Sequence, residues 1–293
     1  MEDKWYVDKM GEWAVSARIC SRVQRSVSAR AVTDYTIPDL PKLTVPHGLL
    51  LEPYEYQKEG IAYALQHKRC IFGDQPGLGK TLQAIGTVTI ARAYRCLFVC
   101  PAALKINWQR EFKKFAGMNA MILDDKTKST WHRFYETGCC KIFITNYESL
   151  KKFFVEGIKD DSRLTMRSIS FDQRISLFKS VVIDESHKCK SSKTQQSKFI
   201  EGICKGKEYV LELTGTPVVN NNTDLIQQLK IMGRLEDFGG YKNFIEKFCA
   251  GPKQSSNVKE LNWRLSTTCF FRREKAKVLT QLPDKYTFSD MVQ

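Results

Sequence analysis

The nine residues GDQPGLGKT at positions 73–81 combine the residue types that a phosphate-binding loop needs. Glycines at 77 and 79 allow the backbone to adopt positive φ angles, so that several N–H groups can point at one anion. Lys80 would bring its ammonium group to the β- and γ-phosphates of a nucleotide, and Thr81 would offer a hydroxyl to Mg²⁺. The stretch therefore predicts a nucleotide site that includes Gly77, Gly79, Lys80 and Thr81.

The sequence on either side of this loop supports the prediction. Residues 69–72 form a short apolar run typical of a buried strand, and residues 82–93 carry apolar positions at helical spacing. A strand, a glycine-rich loop and a helix in this order are the context that the motif requires. The general pattern has glycine at position 74, where this chain has Asp74, so a simple glycine-rich turn is the alternative.

A phosphate loop also needs a carboxylate for Mg²⁺ and a base for the attacking water. The octapeptide SVVIDESH at positions 180–187 offers both, with Asp184 ending a buried strand as the metal ligand and Glu185 following it as the base. Open parallel sheets bind ligands beyond the carboxyl ends of their strands, so we expect Asp184 and Glu185 to face Lys80. The alternative is an acidic turn without function. His187, taken alone, is more typical of an ordinary polar residue.

Short runs rich in Val, Ile and Phe alternate with amphipathic segments from about residue 49 onward. This alternation predicts an α/β fold in which a parallel sheet is covered by helices on both faces. The alternation lapses between residues 151 and 179, which we interpret as an insertion. The predicted helices span residues 57–66, 82–93, 104–115, 130–135 and 192–204, and the predicted strands span residues 69–72, 96–100, 121–123, 142–145, 181–183 and 209–213.

The N-terminal 48 residues have a different character from the rest of the chain. A stretch rich in Ser, Arg and Val is followed by TIPDLPKLTVP, whose three prolines favour an extended connector. We interpret residues 1–48 as an accessory segment of unknown fold and residues 49–293 as one domain.

The composition narrows the class of protein and its partners. The chain has 293 residues, of which 42% are hydrophobic, and no apolar run is long enough to span a membrane. A formal charge of +14 makes nucleic acid the first candidate partner, with an evenly spread charge as the alternative. The ten cysteines form no C-x-x-C pair, which argues against zinc and indicates a reducing, intracellular compartment, cytoplasmic or nuclear depending on the host.

Three segments together carry a specific resemblance. DQPGLGKT at 74–81, DESH at 184–187 and LTGTP at 213–217 are similar to motifs I, II and III of superfamily 2 helicases, most closely those of the Snf2 (SWI2/SNF2) family. Motif I of that family commonly reads D-E-M-G-L-G-K-T, so Asp74 agrees with it while Gln75 and Pro76 depart from it. We expect these departures to change the stiffness of the loop more than its phosphate contacts.

Further segments agree with the family in order and spacing. LFVCPAALKINWQREFKKF resembles motif Ia, ITNYESL resembles motif Ib, YEYQKEGIAYAL resembles the Q motif, and FFRREKAKVLTQLPDK resembles the segment that closes the first lobe. The resemblance covers roughly residues 49–293 and implies a RecA-like P-loop fold, with this chain as the first ATPase lobe.

The resemblance also implies a role for each matching residue. Lys80 and Thr81 would bind ATP and Mg²⁺, and Gln57 would read the adenine. Asp184 would hold the Mg²⁺ and Glu185 would activate water. Motifs Ia and Ib would lie along the phosphate backbone of double-stranded DNA, where polar side chains bind without reading the bases. The residues assigned to DNA contact or to coupling are Lys105, Asn107, Thr145, Asn146, His187, Thr214 and Thr216.

Members of this family have two lobes, and the second lobe supplies arginine fingers to the ATP. No second lobe follows Lys285 in this sequence, so we expect the chain to bind ATP but to hydrolyse it poorly without a second RecA-like lobe as partner. A finger arginine contributes a factor of roughly 10³–10⁵ in related enzymes. The main hypothesis is the N-terminal lobe of an ATP-dependent double-stranded DNA translocase.

Two alternatives remain at this point. The chain could be a nucleotide-dependent DNA-binding switch that works without turnover. A different P-loop enzyme, such as a small-molecule kinase, is disfavoured because LTGTP, the N-W-x-x-E-F segment and the positive charge would have no role there.

Overall fold

The computed structural model describes residues 6–7, 13–14, 35–159, 164–215, 222–251 and 254–278. The chain divides into two compact units, residues 1–36 and residues 37–293. In the first unit, strands β1 (Tyr6–Val7) and β2 (Trp13–Ala14) pair in antiparallel fashion.

A parallel sheet with the strand order β13-β3-β10-β9-β4-β6-β5 forms the centre of the second unit. Buried strands of this kind are nearly continuous apolar runs, as expected for a sheet covered on both faces. The sheet strands are β3 (Arg69–Phe72), β4 (Cys96–Cys100), β5 (Ala120–Ile122), β6 (Ile142–Asn146), β9 (Ser180–Asp184), β10 (Tyr209–Leu213) and β13 (Phe270–Phe271). Two hairpins lie outside it, one formed by β7 (Val155–Ile158) and β8 (Ile169–Phe171), the other by β11 (Cys249–Gly251) and β12 (Gln254–Ser255).

Helices cover both faces of the sheet. The α-helices in the described part of the chain are α1 (Glu55–His67), α2 (Lys80–Ile90), α3 (Lys105–Ala116), α4 (Trp131–Glu136), α5 (Leu150–Phe154), α6 (Gln195–Cys204), α7 (Asp224–Ile231), α8 (Gly240–Phe248), α9 (Val258–Thr268) and α10 (Lys275–Val278). None of them combines the length and the apolar character needed to cross a lipid bilayer.

Alternating strand residues contribute to two separate hydrophobic cores. Val182 and Leu211 face one core together with apolar residues of α1, α2 and α3, and Trp108 and Phe112 are fully buried there. Val181 and Val210 face the other core, where α4 to α9 pack and Trp131 is fully buried. The result is a three-layer α/β/α arrangement in which strand ends and helix starts meet at one edge.

The predicted α/β fold with a parallel sheet is confirmed, and most predicted elements lie within a few residues of their expected bounds. The helix predicted over 82–93 lies at Lys80–Ile90, and the one predicted over 192–204 lies at Gln195–Cys204. The stretch at 151–179 contains α5 and the hairpin β7–β8, with residues 160–163 outside the described chain. Strand β13 was absent from the predicted elements.

The start of the second unit includes part of the predicted accessory segment. Leu40 and Leu43 pack against the core that contains α1 to α3, so the proline-containing stretch is attached to the ATPase-like fold from residue 37 onward. The assignment of residues 1–48 as one accessory segment stays a prediction.

Candidate functional site

A cleft of about 1030 Å³ opens at the carboxyl-end edge of the sheet. Ligands of open parallel α/β sheets bind outside this edge. Lys80 and Asp184, which the sequence places more than a hundred residues apart, both lie in its wall. The predicted site residues that line the cleft are Gln57, Gly77, Gly79, Lys80, Thr81, Asn107, Asp184 and Glu185.

The loop between β3 and α2 has the backbone shape of an anion cradle. Gly77 and Gly79 have φ angles of 90° and 75°, in the left-handed region that glycine adopts cheaply. A Cβ at position 79 would lie 2.3 Å from the Gln57 Nε2 atom, so a larger residue there would clash. Helix α2 begins at Lys80, so the start of a helix, where an anion is favoured, lies in the wall of the cleft.

Lys80 reaches back across the loop that precedes it. Its ammonium donates a hydrogen bond of 2.6 Å to the backbone carbonyl of Asp74. Burial lowers the pKa of Lys80, and the negative charges of Asp74, Glu185 and Asp184 oppose this shift. Lys80 is thus bonded to a protein carbonyl oxygen, which a phosphate would replace as its partner.

Asp184 is held at the end of β9 by two aromatic side chains. The Trp108 indole N–H donates to the Asp184 Oδ2 atom at 2.8 Å, and the Tyr147 hydroxyl donates to the Asp184 backbone carbonyl at 2.5 Å. Burial raises the pKa of Asp184, while the Trp108 hydrogen bond acts in the opposite direction. Trp108 is buried, and its polar edge orients the candidate metal ligand.

Glu185 lies beside Asp184 in an unusual backbone conformation. Its φ of 54° is in the left-handed region, which is uncommon for a residue with a side chain and is found at functional sites. The Glu185 Oε2 atom is 3.2 Å from the His187 Nδ1 atom. The same imidazole nitrogen lies 3.3 Å from the Thr214 hydroxyl, so His187 links the motif II acid to motif III.

Gln57 lies in the first turn of α1 and contacts the phosphate loop. Its side-chain carbonyl accepts from the backbone N–H of Tyr54 at 3.0 Å, and its amide donates to the Leu78 carbonyl at 3.3 Å. Only 6% of the residue is exposed. In this structure Gln57 therefore braces the loop, and its predicted contact with adenine stays a prediction.

The residues predicted to contact DNA differ sharply in exposure. Asn107 is exposed on α3 and Lys105 is half-buried beside it. Thr145 is fully buried inside β6, and its predicted phosphate contact stays a prediction. Asn146 is nearly buried, and its side chain is already hydrogen-bonded to Lys105, Glu148 and Ser149, which orients it within the protein. Thr216 lies outside the described residues.

The two positions where the loop departs from the family motif make specific contacts. The Gln75 side-chain carbonyl accepts from the backbone N–H of Lys275 at 2.9 Å. Pro76 packs against Gly215 of motif III, where an added Cβ would lie 3.0 Å from the proline ring. These departures thus tie the loop to its neighbours, in keeping with the expected effect on stiffness.

The contacts of the Asp74 carboxylate explain why position 74 carries aspartate and not glycine. Its carboxylate is fully buried and accepts hydrogen bonds from the Arg273 backbone N–H, the Arg273 guanidinium and the Gln83 amide. The Arg273 guanidinium approaches it to 2.6 Å. Sequence reasoning found Arg273 within a matching motif but assigned it no partner, because 199 positions separate the two residues.

The arrangement fits a nucleotide with its Mg²⁺. Three features suit a polyphosphate: the glycine cradle, the Lys80 ammonium and the Thr81 hydroxyl in the first turn of α2. Among the described residues, no carboxylate lies at ion-pair distance from the Lys80 ammonium. Asp184 offers oxygen ligands, which Mg²⁺ prefers. Carboxylate, hydroxyl and ammonium groups therefore converge on one cleft without blocking it.

A profile of the SNF2-related domain family matches residues 56–292. Among curated proteins, the DNA annealing helicase and endonuclease ZRANB3 of Homo sapiens is 27% identical over 262 residues, which is 82% of this chain and 22% of that protein. The SWI/SNF-related matrix-associated actin-dependent regulator of chromatin subfamily A-like protein 1 homolog of Caenorhabditis elegans is 28% identical over 255 residues, 81% of this chain and 33% of that protein. An uncharacterized ATP-dependent helicase of Mycoplasma pneumoniae is 29% identical over 258 residues, which is 84% of this chain and 23% of that protein.

Solved structures show the same fold. The Sulfolobus solfataricus SWI2/SNF2 ATPase core in complex with dsDNA matches with a TM-score of 0.64 and 24% identity, over 83% of this chain and 49% of that one. The SWI2/SNF2 ATPase core domain from the same organism matches with a TM-score of 0.58 and 22% identity, over 86% of this chain and 49% of that one. This chain thus spans about half of these cores and between 22% and 33% of the three curated relatives described above.

Proposed function

This chain belongs to the SNF2-related domain family, and we propose from that premise that it is the N-terminal ATP-binding lobe of an ATP-dependent double-stranded DNA translocase. The observation that carries the proposal is the single cleft in which Lys80, Thr81, Asp184 and Glu185 meet. The name of the Mycoplasma pneumoniae relative, an ATP-dependent helicase, supports ATP as the nucleotide.

Each residue has a distinct task in this proposal. The backbone N–H groups of residues 77–81 and the Lys80 ammonium bind the β- and γ-phosphates, and Thr81 and Asp184 hold Mg²⁺. Bound Mg²⁺ would neutralise charge on the phosphates during transfer. Glu185 accepts a proton from the attacking water, and Trp108 keeps the Asp184 carboxylate in place through its 2.8 Å hydrogen bond.

His187 and Thr214 are the proposed link between hydrolysis and DNA. The imidazole contacts both the Glu185 carboxylate and the Thr214 hydroxyl, so a shift of motif III would move the proposed base. Motif III lies next to Pro76 of the phosphate loop, which gives the same shift a second route to the nucleotide.

Duplex DNA is the proposed polymer substrate. The exposed Asn107 and the neighbouring Lys105 could bind phosphate oxygens from α3, and one of the Sulfolobus solfataricus structural neighbours is a complex with dsDNA. A net charge of +14 adds a favourable field that does not depend on base sequence. We further propose that turnover requires a second RecA-like lobe that closes over the cleft.

The test has a binding arm and a turnover arm. In the binding arm, Lys80→Ala should abolish binding of a fluorescent ATP analogue to this chain. Lys68→Ala, an exposed lysine just before β3 at the opposite end of that strand, should leave binding unchanged. Equal binding by the Lys80 variant and the wild type would overturn the proposed phosphate site.

In the turnover arm, phosphate release is measured on the two-lobed protein with and without duplex DNA. Glu185→Gln should keep nucleotide binding and remove DNA-stimulated release, because the amide cannot take a proton from water. Intact turnover in this variant would assign the base elsewhere. Nucleotide-dependent DNA binding by the wild type without any phosphate release would favour the alternative of a switch module.

A further inference from the structure

A second lysine stands over the phosphate loop, although motif I does not include it. Lys275 begins α10, just after the edge strand β13, and its side chain extends over Gly77. A Cβ added to Gly77 would lie 2.8 Å from the Lys275 Nζ atom and 3.0 Å from its Cε atom. Position 77 is limited to glycine by its φ of 90°, and the Lys275 ammonium would have to move aside for a Cβ there.

The backbone on both sides of the contact is fixed. Gly73 and Gln75 donate backbone hydrogen bonds to the carbonyls of Phe271 and Arg273, at 2.8 and 3.1 Å. The Gln75 side-chain carbonyl accepts a hydrogen bond of 2.9 Å from the backbone N–H of Lys275. The loop and the 271–275 segment run together as a ladder, so the backbone of Lys275 is held beside the loop by the same bonds that shape the loop.

The charge of Lys275 is not neutralised by a nearby acid. Among the described residues, no carboxylate lies at ion-pair distance from its ammonium, and the adjacent Glu274 pairs with Lys277 at 3.4 Å. Arg272, whose guanidinium donates to the Gly215 carbonyl at 3.2 Å, is close enough to Lys80 to disfavour its charged form. Positive charge thus accumulates around a cradle that already presents backbone N–H groups.

We propose that Lys275 is a second phosphate-binding lysine, which acts with Lys80 on the polyphosphate chain of the nucleotide. Two ammonium groups beside one loop favour the ligand with the most phosphate charge. Lys275 therefore makes the site prefer triphosphate over diphosphate and monophosphate. This inference rests on the proposed nucleotide site and names a residue that determines its selectivity.

Binding of MgATP, MgADP and AMP to the 293-residue chain is measured by titration calorimetry for four proteins. These are the wild type, Lys275→Met, Lys275→Arg and Lys277→Met, where Lys277 is an exposed lysine of the same short helix. Methionine keeps the aliphatic packing of lysine without its charge. Lys275→Met should weaken MgATP about tenfold, as expected for loss of one charge-assisted contact, and MgADP less, and leave AMP unchanged.

The remaining outcomes separate this inference from the proposed function. Lys275→Arg should keep the preference for triphosphate, and Lys277→Met should match the wild type. Normal MgATP affinity in Lys275→Met, with binding still lost in Lys80→Ala, would overturn the role of Lys275 and leave the nucleotide site standing. An equal loss for all three ligands would also overturn it, because that pattern indicates a distorted loop. A wild type that binds no nucleotide would overturn both proposals.

Discussion

Asp184 shows how a single functional side chain is oriented from two sides. Trp108 fixes its carboxylate and Tyr147 fixes its backbone carbonyl, and both aromatic residues are buried. The Trp108 ring also packs against Phe98, with 4.9 Å between the ring centres, so it cannot turn away without disturbing the core. Partners of metal ligands typically influence metal affinity because they hold the ligand in its binding orientation.

We predict that Trp108→Phe raises the Mg²⁺ concentration needed for half-maximal nucleotide binding by about 10–100-fold, since phenylalanine retains an aromatic ring but has no N–H donor. A fluorescent nucleotide titrated with Mg²⁺ measures this midpoint. Trp131→Phe is the matched control, because Trp131 is equally buried but belongs to the core on the other face of the sheet. Identical Mg²⁺ midpoints in the two variants would show that the indole hydrogen bond has no effect on the metal site.

Glu212 is a carboxyl group in the middle of the sheet. It lies on β10 between Ile71 and Ile183 of the neighbouring strands, with no solvent exposure. Neither of its oxygens has a hydrogen-bond partner of standard geometry among the described residues, although the Ser186 hydroxyl is near enough to favour its charged form. Burial holds the pKa of Glu212 well above its ordinary value, so the folded protein favours the protonated acid.

This burial predicts a stability that falls as pH rises. Because the folded-state pKa exceeds the unfolded value of about 4.5, the stabilising effect is complete below that value and is lost towards the folded pKa. Each pH unit in that window costs about 1.4 kcal/mol. Glu212→Gln should therefore be more stable than the wild type at pH 8, with the difference shrinking towards pH 5, in urea unfolding at several pH values. Glu208→Gln, an exposed change before the same strand, should keep the wild-type slope, and a parallel profile for Glu212→Gln would contradict the prediction.

At the scale of elements, the phosphate loop is shaped by the segment that ends the described chain. Strand β13 pairs with β3 as the sheet edge, and the backbone ladder continues past it to Gln75. The buried Asp74 carboxylate locks this ladder by accepting from Arg273. The loop proposed to bind phosphate therefore depends on residues far along the sequence.

We predict that Asp74→Asn lowers the free energy of unfolding by about 3–5 kcal/mol, because it removes the fully buried counter-charge of the Arg273 guanidinium and leaves only the longer 3.7 Å pair with Glu59. Chemical denaturation measures this change. Asp237→Asn, which breaks the partly exposed pair with Arg234, should cost less than about 1 kcal/mol. A similar small cost for both variants would mean that the Asp74–Arg273 pair contributes little beyond a surface ion pair.

At the scale of the whole molecule, the features that could be predicted are those that depend on short, contiguous stretches of sequence. The loop at 73–81 and the acidic pair at 184–185 each follow a strand, and parallel strands end at one edge, so their meeting in one cleft follows from local pattern and sheet geometry. The family profile over residues 56–292 agrees with this interpretation.

The features that could not be predicted depend on contacts between distant positions. Nothing near Asp74 indicates that Arg273 will neutralise it, and a two-residue strand such as Phe270–Phe271 carries too little pattern to be recognised. Thr145 was assigned to DNA contact or coupling from its motif, and the structure places it in the core within β6. Its burial depends on neighbouring strands and helices, which its own stretch of sequence does not reveal.

Strand β13 has a consequence for how this chain acquires its ligand site during synthesis. A ribosome must deliver residue 275 before the ladder beside Gln75 can close, by which time the motifs around Lys80 and Asp184 have long been translated. Nascent chains that stop short of Phe270 leave β3 as an open sheet border and the glycine bend without its supporting wall. Nucleotide capture would then report that β13 has docked beside β3.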